Sequence, residues 1–99
     1  MGLPNYPLLK QETHENWAIT LFDVSEDKEY KDNIQSNIIG INKAENMFWV
    51  AENPGLEKGN SYYDFVIYEG KIYAPPYDGM HCVIDIQTGA IIGREVIRF

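Results

Sequence analysis

The chain has 99 residues, 44% of them hydrophobic, and a formal net charge of −7 at pH 7. This length predicts one domain with a modest core, because so short a chain buries only about two-thirds of its unfolded surface. The eight Lys and Arg residues are spread singly along the chain, so we expect neither direct nucleic-acid binding nor anionic-membrane binding. The acidity suits either solubility or a basic protein partner.

Cysteine usage and hydropathy indicate the cellular compartment of the protein. Cys82 is the single cysteine, so no internal disulfide can form, and a lone thiol fits a reducing compartment. No window approaches the roughly 18 apolar residues of a membrane span, and the first ten residues lack the apolar core of a signal peptide. We therefore expect a cytoplasmic protein.

The first third of the chain is predicted to contain little regular structure besides one strand. Residues 1–14 contain two prolines and are predicted to form an extended N-terminal arm. Residues 15–24 alternate two sets of side chains that are both partly apolar, which indicates a strand covered on both faces or lying at an interface. The polar residues 25–35 are predicted to form one short helix capped by Ser25 or an acidic loop.

Two similar sequence segments, residues 41–49 and 84–92, lie 43 residues apart. Each begins with an apolar strand end followed by Asn42 or Asp85, side chains that can hydrogen-bond the turn backbone. The polar turn is then closed by Asn46 or Gly89, residue types that tolerate a positive φ. The two segments predict two hairpins, and a repeat at this interval indicates a meandering antiparallel sheet.

The remaining segments also favour strands. Residues 61–68 and 80–86 alternate, and the second of these places Cys82 inward and His81 outward. Glu69 and Gly70 predict a tight turn into residues 71–74, residues 75–79 break the sheet, and residues 90–99 predict the last strand. Together these patterns predict an all-β domain of six or seven antiparallel strands, either a meander or a small sandwich, with at most one short helix.

The sequence of the second segment, with Asp85, Thr88 and Gly89, resembles quinoprotein-type β-propeller repeats, in which an Asp-x-x-Thr-Gly turn joins the last two strands of a blade. The first segment resembles a weaker version of this motif, with Asn46 at the glycine position and Trp49 near the aromatic position. The stretch from Asn37 to Phe99 also resembles small bacterial and phage proteins of unassigned role. The chain is too short to close a propeller, so the resemblance implies a β-meander. It implies no quinone cofactor, because no cofactor-binding set is present.

The sequence offers no recognisable catalytic constellation. His81 and Cys82 are neighbours in a predicted strand and point to opposite faces, so they cannot form a thiol–imidazole pair. Two histidines and one cysteine, widely separated, do not have the spacing of a zinc site. No glycine-rich loop opens a helix around a phosphate. We expect a non-enzymatic protein without metal or cofactor, although carboxylate pairs depend on spatial proximity and stay open.

Aromatic residues are the feature that points to recognition. The chain has seven tyrosines, and tyrosine is enriched at recognition surfaces, although it is also an ordinary strand residue. We expect an outward tyrosine set that stacks on a base or ribose, with nearby cationic side chains that hold a phosphate. The predicted ligand-binding residues are Tyr62, Tyr68, Tyr73, Tyr77, His81, Arg94 and Arg98.

Two functions follow from these patterns. The first is capture of a small molecule, including a nucleotide-like one, as in a phage or bacterial inhibitor of a defence signal, located in the host cytoplasm if phage-encoded. The alternative is an acidic inhibitor or immunity-type partner that binds a basic protein surface. Acids interspersed with lysines favour ligand capture, because a decoy needs a dense uniform field. Apolar residues on both faces of residues 15–24 predict a homo-oligomer, most simply a two-fold dimer.

Overall fold

A computed structural model describes residues 7–23, 37–53, 62–75 and 80–96. These residues form two four-stranded antiparallel sheets, each a simple meander in sequence order. The first sheet contains β1 (Leu8–His14), β2 (Trp17–Phe22), β3 (Ile38–Asn42) and β4 (Met47–Val50). The second sheet contains β5 (Val66–Tyr68), β6 (Lys71–Ala74), β7 (His81–Asp85) and β8 (Ile91–Glu95). The all-β prediction is confirmed.

The number of strands differs from the prediction of six or seven, since the described residues form eight. Part of the segment interpreted as an N-terminal arm is the edge strand β1, whose residues from Lys10 to His14 pair with β2 in continuous register. Its run of polar residues from Lys10 to His14 does not alternate with apolar residues and so predicts no strand, because an edge strand need not bury either face. The predicted short helix at residues 25–35 lies outside the described residues. Within the described ranges, no helix is long and apolar enough to cross a membrane.

Both predicted repeat hairpins are present, and their turns use the expected chemistry. The side-chain oxygens of Asn42 and Asp85 accept hydrogen bonds from turn backbone N–H groups at 3.0 Å and 2.9 Å. Asn46 and Gly89 have positive φ values of 54° and 77°. The same local requirements therefore shape the β3–β4 and β7–β8 connections.

The turn between β5 and β6 is also confirmed. Glu69 and Gly70 have φ values of 51° and 76°, as a two-residue type I′ turn requires at both central positions. Tyr68 and Lys71 pair directly across this turn. β5 is shorter than the predicted strand, because residues 62–65 are not part of the ladder.

One hydrophobic core fills the space between the two sheets. Trp49 lies in this core and joins the sheets directly, since its indole N–H donates to the backbone carbonyl of Ile86 at 3.0 Å. Cys82 is buried on the inward face of β7, as predicted. The core residues are Trp17, Ile19, Leu21, Ile38, Trp49, Ala51, Tyr62, Phe65, Ile72, Ala74, Cys82, Ile84 and Ile86.

Each sheet has one face toward this core and one face away from it, which we call its outer face. In the first sheet, Ala18 pairs with Ile41, and both alternate with core residues, so they belong to the outer face. In the second sheet, Tyr73 pairs with Val83 and lies on the outer face by the same alternation. The candidate binding surfaces lie on these two outer faces.

Candidate functional site

Two of the predicted ligand-binding tyrosines lie together on the outer face of the second sheet. The rings of Tyr68 and Tyr73 meet edge to face, with centroids 6.2 Å apart and an interplanar angle of 64°. Tyr68 is 52% exposed, whereas Tyr73 is only 8% exposed. His81 is partly buried and stands on the same face, where it pairs with Glu95. The pair therefore presents one accessible ring, supported by a second ring beneath it.

Tyr62 does not belong to this face, and its predicted outward position is wrong. The side chain is 2% exposed within the core, and its hydroxyl donates to the carbonyl of Glu52 at 2.9 Å. Burial, followed by the nearby Cys82 thiol, raises the pKa of the phenol well above its ordinary value. Strand alternation failed here because the backbone at residues 62–65 is irregular. Tyr62 is a neutral core residue that anchors a connection.

Arg94, one of the two predicted arginines, does not complete the tyrosine site either. Arg94 pairs with Cys82, on the face of the second sheet opposite to Tyr73, and its guanidinium donates to the Cys82 sulfur at 3.5 Å. Tyr77 and Arg98 lie outside the described residues. The described part of the predicted site is thus divided between the two faces of the second sheet, with no arginine beside the tyrosine pair.

A groove of about 460 Å3 opens instead on the outer face of the first sheet. It lies between the β1–β2 turn and the β3–β4 turn, which emerge at the same end of the meander. Ala18, Thr20 and Ile41 form its floor, because these positions alternate with core residues. Short side chains at Ala18 and Thr20 leave room above the sheet.

The sides of the groove are polar. Gln11 and Thr13 project from β1, where they pair with Thr20 and Ala18 of the floor. Lys43 contributes the one ammonium group among the lining residues, and Glu15 the one carboxylate. The groove therefore combines neutral donors and acceptors with one cation and one carboxylate, over a floor in which Thr20 is 6% exposed.

A smaller, mostly apolar cavity of about 230 Å3 continues from the groove toward the edge strand β4. It shares Ile41 and Lys43 with the groove and adds Met47 and Phe48. These two side chains are 41% and 43% exposed. Phe48 pairs with Ile41 on the outer face, whereas Met47 pairs with Asn42 on the opposite face. The outer face of the first sheet thus changes from polar near β1 to apolar near β4 through Ile41 and Phe48.

Sequence reasoning missed this surface, although one signal for it was present. The partly apolar second set of side chains in residues 15–24 indicated an additional covered or interacting face, and that set includes Ala18 and Thr20. The position of β1 beside β2 supplies the polar wall, and no local pattern shows it. Among the residues that the structure describes, no group of three or more His, Cys, Asp or Glu side chains is arranged to hold a metal ion.

Comparison with known proteins identifies the family. Residues 7–96 match the sequence profile of a family described as a domain of unknown function (DUF7957). The chain belongs to this family. No similar curated protein and no similar solved structure was found. The family description assigns no activity, so a functional proposal depends on the geometry of the site.

Proposed function

We propose that this protein is a non-enzymatic binding protein that captures a small polar molecule in the groove on the outer face of the first sheet. The observation that carries the proposal is the groove itself. Its volume of about 460 Å3 lies in the range of roughly 300–1,000 Å3 that small-molecule sites occupy. Convergent polar side chains over an apolar floor are the usual composition of such sites.

The lining chemistry suggests the class of ligand. Gln11, Thr13 and Thr20 offer hydroxyl and amide groups that both donate and accept hydrogen bonds. Lys43 offers a point charge suited to a phosphate or carboxylate. A nucleotide-like molecule combines these features, with a polar base or sugar against the threonines and an anionic group at Lys43.

The tyrosine pair is a less complete site. Tyr68 offers one exposed ring, but Arg94 is on the opposite face of the sheet. Base stacking on Tyr68 would therefore depend on Lys71, its partner across the β5–β6 turn, and not on Arg94 for a phosphate contact. We therefore assign ligand capture to the groove and keep the tyrosine pair as the comparison in the test.

The proposal can be tested by calorimetric titration with nucleosides and their mono- and diphosphates, after native mass spectrometry has shown the purified protein to be free of ligand. Ala18→Phe should fill the floor and weaken binding by roughly tenfold or more, about 1.4 kcal/mol. Lys43→Gln should weaken binding of the phosphates more than that of the nucleosides. Lys71→Gln removes an exposed lysine from the second sheet and should leave affinity unchanged.

Two outcomes would contradict the proposal. In the first, none of these compounds binds and the protein purified from its host carries no small molecule. In the second, a compound binds but Ala18→Phe has no effect while Tyr68→Ala abolishes binding, which would return the site to the second sheet. The alternative of an acidic inhibitor depends on residues 26–32, which lie outside the described residues, and predicts a protein partner whose affinity collapses as salt rises.

A further inference from the structure

The two repeated hairpins occupy equivalent places in their sheets but face different surroundings. β3 and β7 lie at the same offset of 43 residues as the sequence repeat. Ile84 of β7 points into the core, whereas its equivalent Ile41 of β3 lies on the outer face. A two-fold sandwich would bury both. The two hairpins are therefore related by stacking in the same orientation and not by a two-fold axis. The outer face of the first sheet and the outer face of the second sheet are left uncovered, and these two faces are not equivalent.

Within the chain, the first hairpin docks on the turn of the second. The Trp49 indole lies against Gly89 and donates to the Ile86 carbonyl at 3.0 Å. Beyond β4, the backbone N–H of Glu52 donates to the Gly89 carbonyl at 2.8 Å. The Glu52 carboxylate accepts a hydrogen bond from the Ile91 N–H at 2.9 Å. One aromatic side chain and one glutamate thus form the contact between the repeats.

The first hairpin carries the equivalent surface, and there it is open. The apolar cavity of about 230 Å3 includes Lys43 and Asn46, which are the repeat equivalents of Ile86 and Gly89. The remaining lining residues, Ile41, Asn42, Met47 and Phe48, are equivalent to Ile84, Asp85, Ala90 and Ile91. The cavity therefore occupies the position at which the second hairpin receives Trp49.

The second hairpin carries a group that matches this cavity. By the 43-residue offset, Trp49 and Glu52 correspond to Ile92 and Glu95, both of which are exposed. The strand pairing is shifted by one residue after Ile91, so that Gly93, next to Ile92, pairs with Val83 as Trp49 pairs with Gly40. Ile92 is 56% exposed at a β-bulge, where the pairing register between β7 and β8 shifts by one residue. Gly89 allows the indole of Trp49 to approach closely, whereas Asn46 has a β-carbon at the equivalent point. The open cavity therefore suits a smaller aliphatic side chain such as Ile92.

We propose that a second copy of this chain docks its β7–β8 hairpin, led by Ile92, into the cavity at the β3–β4 turn of its neighbour. The contact between copies resembles the contact between hairpins within one chain, with the bulge residue Ile92 in place of Trp49. Because the two surfaces are different, the association is head to tail and generates a ring or an open filament. This assembly takes the place of the two-fold dimer that the sequence suggested.

Sedimentation velocity from micromolar to several hundred micromolar protein tests this arrangement. The wild-type chain should associate beyond a dimer as concentration rises. Ile92→Asp and Phe48→Asp should each weaken association by roughly tenfold or more, because each places a carboxylate in the apolar contact. Met47→Glu provides a second cavity variant if Phe48→Asp does not fold. Leu9→Asp changes a residue of similar exposure on the edge strand β1, at 53%, and should associate like the wild type.

Mixing variants separates a head-to-tail contact from a symmetric one. The chain with Ile92→Asp keeps an intact cavity, and the chain with Phe48→Asp keeps an intact Ile92. An equimolar mixture should therefore form a one-to-one dimer that grows no further. A wild-type chain that stays monomeric at the highest concentration would overturn the proposal. So would association that Leu9→Asp abolishes and Ile92→Asp leaves intact, or a mixture that does not associate.

Discussion

A β-carbon at Gly89 would lie 2.6 Å from Cε3 of the Trp49 indole, so the two hairpins meet at a point where only glycine fits. Gly89 also has a φ of 77°, a left-handed conformation that closes the β7–β8 turn. One residue therefore meets a local requirement of its own turn and a tertiary requirement of the contact between the sheets.

These two requirements at Gly89 can be measured separately. Gly89→Ala should destabilise the protein through left-handed backbone strain of about 1–2 kcal/mol and through overpacking of about 1–3 kcal/mol. Gly70→Ala is the matched control, because its φ is 76° but its added β-carbon would meet its nearest neighbour only at 4.0 Å. Urea unfolding should show a larger loss for Gly89→Ala. Equal losses in the free energy of unfolding for Gly89→Ala and Gly70→Ala would show that the Trp49 indole moves aside at little cost, and would contradict the overpacking.

Close packing of the Trp49 indole against Gly40 leads to a second prediction. A β-carbon at Gly40 would lie 2.4 Å from two indole carbons, whereas one at Gly93 meets Val83 at 4.0 Å. Gly40→Ala should therefore lower stability by about 1–3 kcal/mol, and Gly93→Ala should be neutral or slightly stabilising. Thermal unfolding gives the comparison. Combining Gly40→Ala with Trp49→Leu should cost less than the sum of the single changes; additive losses would exclude the contact as the cause.

The buried Asn37 side chain ties two connections together. Its amide nitrogen donates to the carbonyls of Phe22 at 2.6 Å and Tyr62 at 2.8 Å, and its oxygen accepts from the Tyr62 N–H at 2.7 Å. Asn37→Leu leaves all three backbone groups without these bonds and should cost about 3 kcal/mol or more. Gln87→Leu removes an exposed amide as the control and should change stability by less than about 0.5 kcal/mol. A small effect of Asn37→Leu in urea unfolding would contradict this reading.

The buried phenol of Tyr62 predicts sensitivity to alkali. Burial raises its pKa in the folded protein, whereas in the unfolded chain the phenol ionises near pH 10. The unfolded state therefore loses this proton first, so the contribution to stability is complete below about pH 10 and falls as pH rises above it. Tyr62→Phe removes that dependence.

Denaturant unfolding between about pH 8 and pH 11 tests the alkaline effect. At the lower pH, Tyr62→Phe should be less stable by about 0.5–1.5 kcal/mol, because the hydrogen bond to Glu52 is lost. At the higher pH, its stability should fall less steeply than that of the wild type. Tyr63→Phe is the control, since Tyr63 is 58% exposed, and it should keep the wild-type slope. Parallel slopes for Tyr62→Phe and the wild type would refute the assignment.

Turn chemistry was predictable from sequence because its causes are local. Asn42 and Asp85 bond their own turns, and Asn46, Gly70 and Gly89 adopt positive φ values. Each of these properties depends on a few consecutive residues. The hairpins and the all-β class followed from them, together with the inward position of a strand residue such as Cys82.

Tertiary structure decided which faces are covered. Strand alternation predicts an outward Tyr62, but the irregular backbone before β5, held by Asn37, places it in the core. Likewise, Ala18 and Thr20 line a groove because β1 lies beside β2 and the two turns rise at the same end of the sheet. Burial depends on segments distant in sequence, so periodicity within one strand cannot determine it. The sequence alone thus determined the local hairpins, and the packing of the two sheets determined the candidate site.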